Sequence, residues 1–214
     1  MNFASGGAAS SPQDRPEPTP RLADGDVGMD DVALMLRVKE GDLEAFEALV
    51  LRHQHSVVGT AAKMLGSAAD AEDIGQQVFV RVWKSAARYE PSAKFTTWLM
   101  TITRNLVFNE LRRRRRTQQV SMDADEEDRI PHQFVDEEAP APSEELLDAE
   151  LQEAIDAAIA SLPENQRLAI VLRRFEGMPY EEIAEVLKTS VPAVKSILFR
   201  ARSELKARLK KYLE

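Results

Sequence analysis

Residues 175–205, FEGMPYEEIAEVLKTSVPAVKSILFRARSEL, constrain the fold more than any other part of the chain. Gly177 predicts a helix stop, a short amphipathic helix follows, and residues 188–190 predict a tight break before a longer helix. Apolar residues recur along the longer helix at alternating steps of three and four, which predicts a buried stripe formed by Val191, Val194, Leu198, Ala201 and Leu205. The segment therefore predicts a helix-turn-helix.

The exposed side predicted for the longer helix carries residue types that suit DNA. At about 100° of rotation per residue, the positions opposite the buried stripe are Pro192, Ser196, Phe199, Arg200 and Ser203. Further positive charge follows at Arg202, Lys206, Arg208, Lys210 and Lys211. A solvated helical hairpin is the alternative, because the macrodipole alone favours basic residues near a helix C-terminus. Serine, arginine and an exposed phenylalanine suit the major groove, so we predict a DNA-binding helix.

The distribution of charged residues along the chain is more informative about binding partners than the net charge. The 214 residues carry a formal net charge of −8, which by itself argues against a nucleic-acid partner. Residues 46–116, however, hold 12 basic and 6 acidic groups, and residues 161–214 hold 11 and 7. Between them, residues 117–160 hold 1 basic and 14 acidic groups. This alternation predicts two polyanion-binding modules joined by a segment that avoids polyanions.

Composition argues against several other classes of protein. The chain has no cysteine, which excludes a disulfide framework, a thiolate nucleophile and a cysteine-based zinc site. It contains neither a phosphate-binding glycine loop nor a G-x-S-x-G elbow. His53 and His55 form a candidate metal pair, but further ligands at fitting spacing are missing, which favours an ordinary surface pair. We expect a protein that is not an enzyme and that uses no metal and no cofactor.

The termini and the hydropathy of the chain indicate where the protein works. Its first residues lack a basic stretch followed by an apolar core, and no apolar run is long enough to span a bilayer. The sequence ends just after the last predicted helix, so we expect no additional C-terminal sensory domain. These features predict a cytoplasmic protein without membrane insertion.

Four segments can be distinguished along the chain. Residues 1–28 are rich in Gly, Ser, Ala and Pro, and we expect a disordered N-terminal tail. Residues 29–116 carry helical periodicity and predict a first bundle. Residues 117–143 combine clustered acids with prolines and no periodicity, which is typical of an acidic flexible linker. Helical patterns resume in residues 144–214. No strand pattern is convincing, so we predict an all-α protein of two small helical bundles.

Local signals predict the helix boundaries of the first bundle. The first helix is expected to end at Gly41, and Asp42 is expected to cap the second. The third helix is expected to begin at Asp70. A loop at residues 89–94 precedes a fourth helix that runs into the arginines of residues 112–116.

Four segments of the chain carry a family resemblance. They are DAEDIGQQVFVRVW at residues 70–83, KFTTWLMTITRNLVFNELRRRRR at 94–116, LPENQRLAIVLRRFEGMPYEEIAEVL at 162–187 and VKSILFRARSELK at 194–206. In this order and at these separations, they resemble the sigma factors of bacterial RNA polymerase, specifically the extracytoplasmic-function type (group 4). Helix-turn-helix proteins in general share only the last of these segments.

The resemblance implies a region-two domain at residues 29–116 and a region-four domain at residues 144–214. The first would bind core RNA polymerase and the minus-ten element of the promoter, and the second would bind the minus-thirty-five element. The protein would thus direct core polymerase to specific promoters and initiate transcription, as in stress responses. An autonomous helix-turn-helix regulator of duplex DNA is the alternative, but it leaves the motifs of the first bundle without a purpose.

The resemblance places the polymerase contact on the third helix. Its DAED-type motif would dock on the clamp coiled coil of the large polymerase subunit through Asp70, Glu72, Asp73, Gln76, Gln77 and Phe79. An acidic helix start favoured by the macrodipole alone is the alternative for Asp70 and Glu72. The family usually has glutamate where Gln77 stands and a larger residue where Gly75 stands. Since glycine costs a helix about 1 kcal/mol relative to alanine, Gly75 predicts a weaker or partner-specific interface.

The resemblance also implies which residues contact each promoter element. Capture of single-stranded bases at the minus-ten element requires polar, basic and aromatic groups, and the matching positions are Tyr89, Lys94, Thr96, Thr97, Thr101, Arg104, Asn105 and Arg112. Phe95 and Trp98 are expected in the core, and residues 112–116 are expected to grip phosphates. At the minus-thirty-five element the expected contacts are Pro192, Lys195, Ser196, Phe199, Arg200, Arg202 and Ser203. Arg173 and Arg174 would touch the DNA backbone.

The linker limits what the free protein can do. Its roughly 27–30 residues have an r.m.s. span of about 30 Å if flexible, whereas promoter elements about two helical turns apart lie roughly 70 Å from one another. We infer that the polymerase stretches the linker. Proteins of this family are commonly held inactive by an anti-sigma factor, so we expect core RNA polymerase, promoter DNA and an anti-sigma factor as partners.

Overall fold

The computed structural model describes residues 30–122 and 144–212, and within them it contains helices and no strand. In these two ranges, eight α-helices follow one another as α1 (Asp31–Lys39), α2 (Leu43–Leu65), α3 (Ala68–Ser85), α4 (Phe95–Met122), α5 (Glu144–Ala160), α6 (Glu164–Arg174), α7 (Tyr180–Leu187) and α8 (Val191–Arg208). Single 3₁₀ turns lie at Ala86–Arg88 and Lys210–Tyr212. The all-α prediction is confirmed. The predicted tail at residues 1–28, and residues 123–143 of the predicted linker, lie outside the described part.

The first helices begin and end where the short polar residues and glycines of the sequence indicate. Gly41 follows α1 with a φ of +93°, and the Asp42 carboxylate accepts a hydrogen bond from the Ala45 N–H at 3.1 Å, which caps α2. The expected start of the third helix at Asp70 is wrong by two residues. Ser67 caps α3, its hydroxyl accepting from the Asp70 N–H at 3.4 Å, so the helix begins at Ala68.

Helix α2 is the centre of the first bundle, which comprises α1 to α4. Helices α1, α3 and α4 all pack against it. The side chains that fill the space between them are fully buried, as the apolar periodicity predicts; the largest are Leu34, Met35, Leu49, Val57, Met64, Phe95 and Leu99. This core fixes the relative positions of α3 and α4, the two helices expected to carry function.

Helix α4 continues to Met122, beyond the arginine run with which it was expected to end. The segment after the run contains no proline or glycine that would stop a helix. Arg114, within the run, joins three helices. It donates to the Leu65 carbonyl at 2.9 Å, to Asp70 at 2.6 Å and to Glu110 at 3.0 Å. Arg114 thereby satisfies a free carbonyl at the end of α2 and links it to the start of α3.

The second bundle comprises α5 to α8, with α6 and α7 packed against α8. Leu168, Leu172, Ile183 and Leu198 are buried in its core. The predicted stripe on α8 is confirmed, because its central members Val194, Leu198 and Ala201 are 0–1% exposed while its two ends are partly buried. The helix-turn-helix is thus formed by α7 and α8.

The two bundles contact each other in this structure. Helix α7 of the second bundle packs against α4, and α6 packs against α2. The contact includes side chains that were expected to face DNA, and its polar groups are described below.

Gly75 has a packing role that helix propensity does not reveal. It lies where α3 crosses α2, and a Cβ atom at this position would stand 2.7 Å from a γ-methyl of Val58. The expectation of a weakened helix therefore misses the reason for the glycine. Any larger residue would push α2 and α3 apart or force Val58 out of its place.

We predict opposite effects for alanine at two helical glycines. Gly59 lies within α2 with no atom near an added Cβ, so Gly59→Ala should raise the free energy of unfolding by about 0.5–1 kcal/mol. Gly75→Ala gains the same propensity but meets Val58, and overpacking of this kind typically costs about 1–3 kcal/mol. A net loss is therefore expected, measured by urea unfolding of each variant.

The companion variant Val58→Ala tests the cause. It removes the methyl group that Gly75→Ala would meet, so the second alanine should become neutral or stabilising in that background. Equal stabilisation by both glycine replacements in the wild-type background would contradict the packing role.

Candidate nucleic-acid and polymerase interfaces

The turn between α7 and α8 orients the recognition helix. Lys188 follows α7 in the left-handed conformation, with a φ of +55°. This conformation ends the helix and turns the backbone sharply toward α8. The Ser190 hydroxyl accepts a hydrogen bond from the Ala193 N–H at 3.4 Å and caps α8. Pro192 lies in the first turn, where its missing N–H would have no helical partner in any case. These local features hold the N-terminal half of α8 at the protein surface.

All seven residues expected at the minus-thirty-five element are exposed. We call them the recognition face: Pro192, Lys195, Ser196, Phe199, Arg200, Arg202 and Ser203. Phe199 is 71% exposed, which is unusual for so large an apolar side chain. Arg200 donates through Nε to the Ser196 carbonyl at 3.4 Å, so its side chain lies along the helix toward the turn. The recognition face thus carries two guanidinium groups, an ammonium group and an aromatic ring, all exposed.

The loop before α7 is held in place by Arg173, a residue that was expected to touch DNA. Arg173 donates to the Met178 carbonyl at 3.0 Å and lies over the Tyr180 ring, 5.2 Å from its centroid. This arginine therefore braces the loop between α6 and α7. Pro179 precedes α7 and provides no side-chain cap. Glu181 and Glu182, in the first turn of α7, instead place negative charge at the positive end of the helix dipole, which stabilises the helix.

Tyr89 is a core residue, contrary to its expected role as a DNA contact. It is 2% exposed, and its ring meets Phe95 and Trp98 edge-on at centroid distances of 6.5 and 5.0 Å. Burial, together with Asp30 and Asp31 nearby, raises the pKa of its hydroxyl. The expected burial of Phe95 is confirmed at 2% exposure. The three rings form an aromatic cluster that fixes the loop at residues 89–94.

The remaining residues expected at the minus-ten element follow one side of the loop and α4. We call them the minus-ten face: Lys94, Thr96, Thr97, Thr101, Arg104, Asn105 and Arg112. Several recur at spacings of three or four residues, which places them on one side of the helix. Lys94, Asn105 and Arg112 are exposed, whereas Thr97 is 2% exposed beneath α7. Arg104 stacks over the Phe108 ring at 4.9 Å and donates to Asn105 at 3.1 Å.

The arginines of residues 112–116 do not form one uniform basic end. Arg114 is committed to the helix junction described above, and Arg113 donates twice to Glu110 at 2.8 Å. Hydrogen bonds from Arg113 and then Arg114 hold the pKa of the Glu110 carboxyl below its usual value. Arg115 bonds to Glu164 of the second bundle at 2.7 Å. Arg112 and Arg116 are exposed. Fewer arginines than expected are therefore available to bind DNA phosphates.

Helix α3 presents a polar face and an apolar one. Glu72, Asp73, Gln76 and Gln77 are exposed along one side, which we call the polymerase face. The other two residues expected there differ: Asp70 is held by Arg114 at 2.6 Å, and Phe79 is 8% exposed. Asp70 thus has a structural partner, consistent with the alternative considered for it.

An apolar groove beside the polymerase face was not predicted. It runs between α2 and α3 and is lined mainly by Leu43, Phe46, Val50, Phe79, Val80 and Trp83. Leu43 is 67% and Val80 51% exposed, and the rings of Phe46 and Trp83 meet edge-on at 5.1 Å. A signal was present in the sequence, because the apolar residues of α3 from Val78 to Trp83 exceed one buried stripe.

The two histidines considered as a candidate metal pair have different surroundings. His53 is buried, with Nε2 2.9 Å from an Asp31 carboxylate oxygen and its ring 5.3 Å from that of Phe95. Partial burial acts to raise the pKa of Asp31, but hydrogen bonds from His53 and Arg52 outweigh it and lower that pKa. His55 is exposed. Across residues 30–122 and 144–212, no group of three or more metal-ligating side chains is assembled.

None of the helices in the described ranges combines the length and the apolar character needed to cross a membrane.

Two parts of the chain match known protein families. Residues 49–117 match the family described as Sigma-70 region 2, and residues 152–205 match Sigma-70, region 4. The chain is 32% identical over 176 residues to RNA polymerase sigma-H factor of Pseudomonas aeruginosa, covering 82% of this chain and 91% of that protein. It is 34% identical over 176 residues to ECF RNA polymerase sigma-E factor of Escherichia coli K12, covering 82% and 92%.

Solved structures show the same fold. CnrH, in complex with the cytosolic domain of CnrY, superposes with a TM-score of 0.60 at 28% identity, covering 85% of this chain and 97% of that one. The sigma factor RpoE in complex with the anti-sigma factor NepR, from Bartonella quintana, superposes with a TM-score of 0.62 at 26% identity, covering 78% and 98%. These family matches and relatives show that the protein belongs to the extracytoplasmic-function (ECF) family of RNA polymerase sigma factors, which direct core polymerase to promoters through their minus-ten and minus-thirty-five elements.

Proposed function

We propose that the two bundles divide the work of promoter recognition without any covalent chemistry by this chain. The first, at residues 29–116, binds core polymerase and the minus-ten element, and the second, at residues 144–214, reads the minus-thirty-five element. The exposed recognition face on α8, opposite a stripe that is fully buried at its centre, is the observation that carries this proposal. Its site of action is the cytoplasm, where polymerase and promoter meet.

The recognition face is suited to base readout in the major groove. The fork of an arginine guanidinium matches the two acceptors of a guanine edge, which makes Arg200 the main candidate for specificity. Phe199, exposed one residue earlier, suits the apolar methyl group of thymine. Lys195 and Arg202 supply contacts to phosphate, which position the helix without reading sequence.

The minus-ten face is suited to a single strand rather than a duplex. Its threonine hydroxyls and Asn105 offer hydrogen bonds to base edges, while Lys94, Arg104 and Arg112 follow the phosphates. The Tyr89, Phe95 and Trp98 cluster supports the loop from inside. Strand separation costs a few kcal/mol per extruded base, and contacts made only to the unpaired strand offset that cost.

The polymerase face and the apolar groove are next to each other on α3. Glu72 and Asp73 provide negative charge, and Val80 and Trp83 provide exposed apolar surface. A docking site of this kind combines charge complementarity at its edge with an apolar centre. A neighbour of known structure, RpoE of Bartonella quintana, is seen with an anti-sigma factor. By analogy, this chain is expected to be restrained by an anti-sigma factor that co-purifies with it.

Arg200→Ala and a change at Asp73 should separate the two functions. Loss of one base-specific arginine contact corresponds to about 1–3 kcal/mol, so Arg200→Ala should reduce run-off transcription from cognate promoters by about 5- to 150-fold. Its binding to core polymerase should be unchanged. Asp73→Asn should weaken core binding, and raising the concentration of that variant should recover transcription.

Arg208→Ala is the matched control for Arg200→Ala, because it removes an equal charge from the same helix at a residue that pairs with Glu204. It should leave promoter choice unchanged. Equal loss of core binding and promoter recognition in the Arg200 and Asp73 variants would contradict the division of labour.

Substitution of two arginines of α4 should affect different properties, the stability of the fold in one case and DNA binding in the other. Arg114→Ala removes two inter-helical hydrogen bonds and one bond within α4, and it leaves the Leu65 carbonyl unsatisfied, so it should lower the free energy of unfolding by about 1–3 kcal/mol. Arg112→Ala, at an exposed residue, should leave stability within about 0.5 kcal/mol but weaken open-complex formation. Thermal unfolding and permanganate reactivity of the promoter measure the two effects. An unchanged melting temperature for Arg114→Ala would refute the structural role.

A further inference from the structure

The carboxylate of Glu182 occupies part of the minus-ten face. Glu182 lies in the first turn of α7, and its Oε1 is 2.6 Å from the Lys94 ammonium. Its Oε2 accepts a hydrogen bond from the Thr97 hydroxyl at 3.2 Å. The side chain of Glu182 is only 14% exposed, and Thr97 is 2% exposed. An anion from the second bundle therefore sits against the ammonium and hydroxyl groups proposed to bind the DNA strand.

A second carboxylate makes a similar contact on α2. Glu176, in the loop before α7, accepts hydrogen bonds from the hydroxyls of Ser56 and Thr60. Thr60 is 1% exposed, so this contact is shielded from water. Two acidic side chains at either end of one loop thus anchor the second bundle to two helices of the first.

Charged contacts surround these two anchors. Glu164 bonds to Arg115 at 2.7 Å, and Asp156 lies 3.6 Å from Lys63. Lys63 also stacks over the Phe175 ring at 4.1 Å. In each ion pair the acid comes from the second bundle and the base from the first. The charge pattern is that expected when acidic side chains take the place of phosphates.

The contact occupies part of one DNA-binding face and leaves the other open. Lys94, Thr97 and Arg115 are engaged by the second bundle, whereas every residue of the recognition face is exposed. The docked arrangement also holds the bundles side by side. Promoter elements about two helical turns apart require them to be roughly 70 Å from one another. The docked arrangement and promoter binding therefore exclude each other.

We infer that the second bundle is an intramolecular inhibitor of the first in the free protein, with Glu182 and Glu176 holding the closed arrangement and core polymerase opening it. The inference deepens the proposed function, on which it rests for the identity of the minus-ten face. The closed arrangement combines these ion pairs and hydrogen bonds, which contribute little where they are exposed, with the packing of α7 on α4 and of α6 on α2. Buried apolar residues of both bundles belong to one core. A partner that binds only the open arrangement shifts the equilibrium by its preference for that arrangement.

Distance measurements on the full chain test the closed arrangement directly. The sequence has no cysteine, so Glu47→Cys on α2 and Ala207→Cys on α8, both at exposed residues, provide the only labelling sites for a donor and an acceptor dye. The free protein should show high energy transfer, and core polymerase should lower it. Glu182→Ala should lower transfer without polymerase, whereas Glu181→Ala, at an exposed residue of the same helix, should not.

A charge reversal separates loss of the contact from loss of folding. Glu182→Lys places two ammonium groups together and should lower transfer, and adding Lys94→Glu should restore it. A second bundle that had merely unfolded would not recover in the double variant. Low transfer in the free wild-type protein, or transfer unaffected by Glu182→Lys, would overturn the inference.

Binding of a mixed-sequence single-stranded oligonucleotide of about 20 nucleotides gives a second readout. If about one molecule in ten is open, releasing the rest raises the apparent affinity about tenfold, so Glu182→Ala should bind about tenfold more tightly than wild type or Glu181→Ala. Unchanged affinity alongside reduced transfer would show that the closed arrangement does not mask the DNA site, and would overturn the inhibitory role.

Failure of the proposed function would be distinct. It would appear as wild-type protein that supports no run-off transcription with core polymerase, whatever the energy transfer of the free chain.

Discussion

The carboxylate of Glu182 and a DNA strand compete for the same groups, the Lys94 ammonium and the Thr97 hydroxyl. This competition links the arrangement of the two bundles to the availability of the minus-ten face. Acidic groups of the second bundle pair with basic groups of the first until a larger assembly separates the two. The net charge of −8 does not describe the DNA-binding faces, because residues 46–116 and 161–214 each carry an excess of basic groups and residues 117–160 hold 14 acidic groups against 1 basic one.

Helix α2 provides the rigid frame for both states of the molecule. It packs against α1, α3 and α4 and also receives α6 of the second bundle. The close crossing at Gly75 sets the position of α3 and hence of the polymerase face. Arg114 of α4 then ties the start of α3 to the end of α2. The polymerase-binding surface is therefore fixed by the packing of the first bundle alone and stays available when the second bundle is docked, so polymerase can engage first and open the molecule afterwards.

Much of the fold could be predicted from the sequence because it depends on local signals. Glycines and small polar residues determine the helix ends, and the stripe from Val191 to Leu205 determines which side of α8 is buried and which is exposed. The predictions that were wrong depend on contacts between distant residues. Tyr89 is a residue type that often contacts DNA, but its ring packs on Phe95 and Trp98. Arg114 is a residue type that often binds phosphate, but its side chain bonds to residues of three helices. Gly75 looks unfavourable until Val58 is placed opposite it. No local pattern contains these pairings, nor the contact of Glu182 with the first bundle.

Footprinting of one cognate promoter by the isolated chain and by the holoenzyme, under the same salt conditions, tests the account most directly. The minus-ten face is partly occupied and the two faces cannot lie at their proper distance until polymerase separates the bundles, so the isolated chain should not protect both elements at concentrations where the holoenzyme does. Protection of the minus-ten and minus-thirty-five elements together by the chain alone, with holoenzyme-like affinity, would contradict the account.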